Sequence, residues 1–188
     1  MAKFDVHAAD TAPEASRPLL ETSVKAFGRV PNLHGVMAES PALLEGYQRL
    51  HTLFQEGTAF DKDELTVIWQ AINVEHSCHY CVPAHTMIAK MMKVDDAVTT
   101  ALRDETPLPN AKLEALRTFT LTVVRNRGVV GDADVQAFLD VGYQRRHILD
   151  VVLGVAQKVM SNYVNHLAET PIDPPFQAHA WEKKATAA

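Results

Sequence analysis

The chain has 188 residues, 47% of them hydrophobic, which is enough to bury one full core. No apolar run is long enough to cross a bilayer, and the formal net charge of -5 comes from interspersed acids and bases, with no Lys/Arg run to mark a nucleic-acid or lipid surface. The opening stretch MAKFDVHAADTAPEASRP lacks the basic segment and apolar core of a signal peptide, so the expected compartment is the reducing cytoplasm, where a cysteine pair serves redox catalysis or metal binding rather than stapling a fold.

Taken in chain order, the periodicity predicts helices almost throughout. Residues 13–30 carry Leu19, Leu20, Val24 and Phe27 at helical spacing, and Ser40-Pro41 opens a second helix that runs to Gly57. Asp61 with Glu64 three residues later has the form of a capping box and starts a segment with Leu65, Ile68 and Ile72 on one stripe. Proline is tolerated only in a first helical turn, so Pro83 places the next helix start between Cys78 and Cys81, and Met87, Ile88, Met91 and Met92 continue it. Further helices are expected at about 95–103, 110–127, 132–139 and 144–168; the last carries Ile148, Val151, Val152, Val155, Val159 and Tyr163 at three-and-four spacing. The breaks around Pro107 and Pro109, and from Pro171 to Pro175, are too short for domain linkers, and the tail with Phe176 and Trp181 is expected to wrap the body or a neighbour. The expectation is one all-α domain over 1–188: an N-terminal helical segment at about 13–57, a core at about 61–168 and a tail at about 169–188.

Function concentrates in residues 75–85. The only two cysteines, Cys78 and Cys81, stand two residues apart, a spacing that permits a disulfide, and His85 follows Cys81 by one helical turn. A helix start favours an anion, so a thiolate is expected at Cys81, with imidazolium at His85 adding to it. Peroxide would oxidise Cys81 to a sulfenic acid, Cys78 would condense with it to a disulfide, and an external dithiol would reset the pair. Proton transfer asks for a carboxylate. Glu75 precedes Cys78 by three residues, and Glu64 lies eleven before Glu75, on roughly the same helical face. Either is a candidate to orient or recharge His85.

The order Glu, Cys-x-x-Cys, x-x-x-His in an all-helical chain of this size resembles the alkylhydroperoxidase D-like (AhpD-like) branch of the carboxymuconolactone decarboxylase superfamily. The text from Trp69 through Glu75 and His76, from Cys81 through Thr86, and from Asn162 to His166 with the following Thr170-Pro171-Ile172-Asp173, is similar to uncharacterised members of that family, and the similarity spans most of the chain. The resemblance implies an AhpD-like helical bundle that assembles as a dimer, trimer or hexamer. It implies Cys81 as the attacking thiol, Cys78 as the resolving thiol, His85 driven by a glutamate, and a dithiol such as a lipoyl group or a small redox protein as reductant. Two positions depart from the pattern: Thr66 stands where the relay glutamate is usual, and Tyr80 where a histidine precedes the second cysteine. Glu75 is the first substitute for that glutamate and Glu64 the second.

Tyr80, His79 and Trp69 are the candidates to line the substrate pocket, with the stripe of Met87, Met91 and Met92 as core, interface or pocket wall. A zinc set of Cys78, Cys81, His85 and either His76 or His79 is possible on donor type, but structural zinc usually draws a second ligand pair from a distant segment, and no metal or bound cofactor is expected. Asn162, Asn165 and His166 are read as groups that cap the long helix or satisfy buried carbonyls. The reading is a cysteine-dependent peroxidase or disulfide oxidoreductase acting on organic or hydrogen peroxide. Lactone decarboxylation, which needs no paired thiols, is the alternative, and a zinc-bound or redox-sensing helical oligomer is the non-catalytic one.

Overall fold

A computed structural model describes residues 4–183. Helices α1 (Arg17–Phe27), α2 (Asn32–Met37), α3 (Pro41–Gly57), α4 (Lys62–Glu75), α5 (Cys81–Met91), α6 (Asp96–Asp104), α7 (Ala111–Arg125), α8 (Asp132–Asp140) and α9 (Arg145–Ala168) follow one another, with 3-10 turns at Glu14–Ser16 and Pro174–His179. No strand occurs among the described residues.

The capping box acts as the sequence suggests, whereas Ser40 precedes α3 without a side-chain capping bond. Asp61 accepts from the backbone N–H of Asp63 and Glu64 while Glu64 accepts from Asp61, closing the box at the start of α4. Asn110 and Asp95 cap α7 and α6. The expected helix at 13–30 is shorter, because Gly28 takes a left-handed conformation with φ 72° and ends α1. The short α2 that follows has no counterpart in the sequence reading.

Helix α4 is the axis of the body. Every residue from Glu64 to Val74 is buried, and the helix packs against α5, α6, α7 and α9, as a helix covered on all sides must. One core cluster gathers Phe54, Ile68, Trp69, Leu116 and the stacked rings of Phe119, Phe138 and Tyr143. A second gathers Leu33, Met37, Leu44 and Tyr47 around the two cysteines. The tail lies on the body: Phe176 meets Tyr80 edge-on, and the Trp181 indole donates to the Arg103 carbonyl at 3.0 Å.

The long helix α9 approaches α3 and α4 closely at Gly154, where a Cβ would sit 2.7 Å from the Phe54 ring and 2.9 Å from Ile68. Neither neighbour is the free end of a flexible chain. Gly154→Ala should therefore destabilise the fold by about 1–3 kcal/mol through overpacking, despite alanine's better helix propensity. Urea unfolding at pH 7 checks it, and an unchanged midpoint would mean that α9 slides at little cost.

Candidate functional site: a buried thiol pair facing an apolar cavity

The turn between α4 and α5 carries Cys78, and α5 begins at Cys81, so both thiols are set at one helix start. Ser77 has a positive φ of 53°, and the Cys78 N–H donates to the Asn73 carbonyl at 2.9 Å, which folds the turn back onto α4. The Cys81 N–H donates to Cys78 Sγ at 3.3 Å. Both cysteines are free and buried.

A polar network fixes this turn from below. Asn162 on α9 donates to Asn73, Asn73 donates to Gln70, and Gln70 donates to the Val82 carbonyl and to Thr86 Oγ1, at 3.0–3.2 Å. His76 completes the chain against Asn162 at 2.9 Å. The expectation that Asn162 satisfies buried polar groups describes its place here. Asn165 does more, since its amide donates to Cys81 Sγ at 3.1 Å.

Cys81, but not Cys78, lines a cavity of about 720 Å³. Its walls include Phe27, Tyr47, Tyr80, Met87, Met91 and Phe176, while His85 and Lys158 stand beside Cys81. The two thiols are driven apart in acidity. Burial pushes Cys81 up, but the hydrogen bond from Cys78, the charge of Lys158 and the amides of Asn162 and Asn165 together bring it below a free thiol. Cys78 moves the other way, raised by its hydrogen bond to Cys81, by burial and by the Cys81 charge. The arrangement provides one thiolate toward the cavity and one thiol behind it.

His85 is next to Cys81 in the site, but not as the imidazolium expected from the sequence. It is 5% exposed and its Nε2 lies 2.9 Å from Lys158 Nζ. Burial first, then the Lys158 charge and His51, hold its pKa well below 6.5, so the ring is neutral; Lys158 is the basic group beside Cys81, and burial lowers its own pKa against the opposing pull of the Cys81 and Cys78 charges. Tyr80 lines the cavity, with its hydroxyl bonded to Asp173 and accepting from the Leu33 N–H. Arg29 pairs with the same Asp173 at 3.1 Å, so the position that departs from the family pattern ties the N-terminal helices and the tail to the cysteine turn.

Four predicted site residues lie elsewhere. Trp69 is fully buried behind the site, stacked against His51 and close to His85, with its indole donating to Gln157. His79 bonds the Thr170 carbonyl and does not line the cavity. Glu64 closes the α4 cap and pairs with Lys112 at 3.0 Å, and Glu75 makes a two-pronged pair with Arg125 at 2.7 and 2.8 Å. The two carboxylates do share one face of α4, but that face meets α7, which supplies both cations, while the thiols meet α9. Arg125 accordingly holds Glu75 below the usual carboxylate range. Glu75→Gln is therefore expected to leave thiol reactivity unchanged and to cost less than about 1 kcal/mol of stability, since Arg125 is half exposed. Thiol alkylation rates and a melt on this variant check both.

The sequence reading missed Lys158 and Ser161, whose Oγ is 3.9 Å from Cys81 Sγ, as well as Tyr47, His34 and His51 at the cavity wall. A signal for the first two was present: Lys158, Ser161, Asn162 and Asn165 form a polar stripe at three-and-four spacing along an otherwise apolar helix. Among the described residues, no three His, Cys, Asp or Glu side chains converge as a metal site.

The fold is that of AhpD-like proteins. The chain aligns over 93% of its length with 93% of an alkylhydroperoxidase AhpD core, an uncharacterized peroxidase-related protein from Ralstonia eutropha JMP134, at a TM-score of 0.83 and 20% identity. A peroxidase-related protein from Silicibacter sp. TM1040 gives 0.78 at 20% identity, covering 92% of each chain. The debrominase Bmp8, as a cysteine-to-alanine variant with bound 2,3,4-tribromopyrrole, gives 0.77 at 15% identity over 95% of each chain. No protein-family profile and no curated protein matches the sequence. Peroxidase-related proteins and a debrominase thus share this architecture, so the fold alone does not fix the chemistry of this chain.

Proposed function

We propose that this protein is a cysteine-dependent peroxidase, reducing organic or hydrogen peroxides through Cys81 and Cys78 and recharged by an external dithiol. The observation that carries this reading is the division of labour between the thiols: Cys81 faces the cavity with its acidity increased, and Cys78 stays protonated behind it. Cys81 thiolate attacks the outer peroxide oxygen, an S–O bond forms as the O–O bond breaks, and an alkoxide leaves and takes a proton. Cys78 then displaces the oxygen from sulfur, giving a disulfide and water. A dithiol reduces the disulfide and is itself oxidised. The cavity, with aromatic and methionine walls, favours an apolar hydroperoxide over hydrogen peroxide.

The test is peroxide consumption by purified protein with a panel of dithiols that includes dihydrolipoamide. Cumene hydroperoxide should be reduced faster than hydrogen peroxide. No consumption with any donor, together with two free thiols after peroxide treatment, would remove this reading.

The expected compartment remains the reducing cytoplasm, and no helix of the described residues is long and apolar enough to cross a membrane. Self-assembly is part of the same proposal. Leu149, Val152, Ala156, Tyr163 and Leu167 are exposed on one side of α9, opposite the stripe that meets the thiols, and an apolar stripe of that length suits a second copy of this chain. Light scattering should return at least a dimer, and Leu167→Glu with Val152→Glu should shift it to monomer.

A further inference from the structure

Lys158 is 1% exposed at the middle of α9, and none of the ion pairs among the described residues includes it. The titratable groups that face it are His51 from α3, His85 and Cys81 from α5, and Cys78 from the preceding turn; there is no carboxylate among them. An ammonium buried without an anion is costly, and the anion available at this place is a thiolate on Cys81. An ammonium also has donors and no acceptor, so at 2.9 Å it donates to His85 Nε2. That leaves the imidazole proton on Nδ1, a buried nitrogen with no hydrogen-bond partner.

We propose that Lys158 does two things in each turnover: it is the countercharge that keeps Cys81 ionised, and through His85 it is the proton source for the leaving oxygen. The proposal rests on the peroxidase reading and deepens it. It also leaves no proton role to Glu64 and Glu75, which pair with Lys112 and Arg125 of α7.

The protons balance over the cycle. The resting site holds a thiolate on Cys81, a thiol on Cys78 and an ammonium on Lys158. When Cys81 attacks ROOH, the S–O bond forms, the O–O bond breaks and RO⁻ departs. His85 Nδ1 gives up its proton to make ROH as Nε2 takes one from Lys158, leaving a neutral amine. The Cys78 thiol and the sulfenic acid condense to the disulfide and water, which needs no further proton. An external dithiol, oxidised to its own disulfide, returns two thiols; the Cys81 proton then passes to His85 Nδ1 as Nε2 gives its own proton to the Lys158 amine, which restores the tautomer and the ion pair together.

The experiment compares wild type with Lys158→Met, Lys158→Gln and Lys158→Arg in two measurements, with circular dichroism to establish that each variant folds. The first is the pH dependence of Cys81 alkylation by iodoacetamide, followed by peptide mass. Both neutral variants should raise its midpoint by about one pH unit or more, a roughly tenfold loss of thiolate below the midpoint, and Lys158→Arg should hold it near wild type. The second is single-turnover oxidation of Cys81, scaled to the thiolate fraction from the first. With cumene hydroperoxide, whose alkoxide needs a proton, all three variants should be slowed about tenfold or more, because arginine supplies charge but does not give up a proton. With a peracid, whose carboxylate leaves unprotonated, all three should match wild type.

An unchanged alkylation midpoint in a folded Lys158→Met or Lys158→Gln overturns the countercharge. Equal slowing with both oxidants, or a Lys158→Arg that reduces cumene hydroperoxide at the wild-type rate, overturns the proton role. If the wild type itself is inert to both oxidants, the peroxidase reading fails and the proton role with it, while the alkylation curves still decide the countercharge.

Discussion

Cys81→Ser is expected to abolish peroxide reduction, by roughly a thousandfold or more, because a serine hydroxyl stays protonated where a thiol ionises. Cys78→Ser should behave differently. It keeps the attacking thiolate, so it should complete one oxidation and stop at a sulfenic acid that a dimedone-type reagent traps. The asymmetry follows from position: Cys81 lines the cavity, whereas Cys78 does not and receives the Cys81 N–H instead. Serine at 78 also removes the S–H donor that helps lower Cys81, so the alkylation midpoint of Cys81 should rise in that variant. A trapped sulfenic acid on Cys78 in Cys81→Ser would exchange the two roles. Wild-type turnover in both variants would discard thiol chemistry for this site.

Much of the fold was legible because the signals were local. The capping box at Asp61, the proline limit at Pro83 and the apolar period of α9 each depend on residues within one or two turns, and local physics decides them. The helix α2 was not legible: Pro31 precedes it without a side-chain capping bond, and its residues are buried by α9, α3 and α1 rather than selected by a stripe of their own.

The site divides in the same way. Cys78, Cys81, His85 and Tyr80 sit in one short run, and spacing alone brought them together. Which groups charge and orient them is a question of what packs on that run, and the answer comes from α9, more than seventy residues later. Glu64 and Glu75 illustrate the limit. Their common face on α4 is a correct inference from 3.6 residues per turn, but periodicity does not say which neighbour a face will meet. Lys158 shows the converse, since a polar stripe marks it on α9 but a lysine there still reads as a snorkelling side chain until its neighbours are known.

Acid should unfold this protein at a higher pH than its carboxylates alone would dictate. His34, His51 and His85 line the cavity and are held neutral: burial, then His51, lowers His34 to about 3; burial, then Lys158, lowers His51 to about 4; His85 lies well below 6.5. His34 is packed between Phe27 and Tyr47 with Ser23 at 2.8 Å, and the partly buried His51 is stacked on Trp69, so charging either ring places a cation against aromatic packing. In the unfolded chain each titrates near 6.5, so below that pH the unfolded state binds protons that the folded state refuses. Stability is then fully present above pH 6.5 and falls as pH drops toward 4, by up to about 1.4 kcal/mol per pH unit for each ring, or about 4 kcal/mol per unit for three. Against a typical total of about 5–15 kcal/mol, that slope places cooperative unfolding between about pH 5 and 3, with the lowered carboxyl of Glu75 adding loss of the same sign at the acid end. Urea titrations at pH 7, 6 and 5 measure the slope, and His51→Phe, which keeps a ring against Trp69 and Tyr47, should remove about a third of it. A stability that is flat between pH 7 and 5 would mean that the rings already open to water in the native state, and with them the wall of the cavity that faces Cys81.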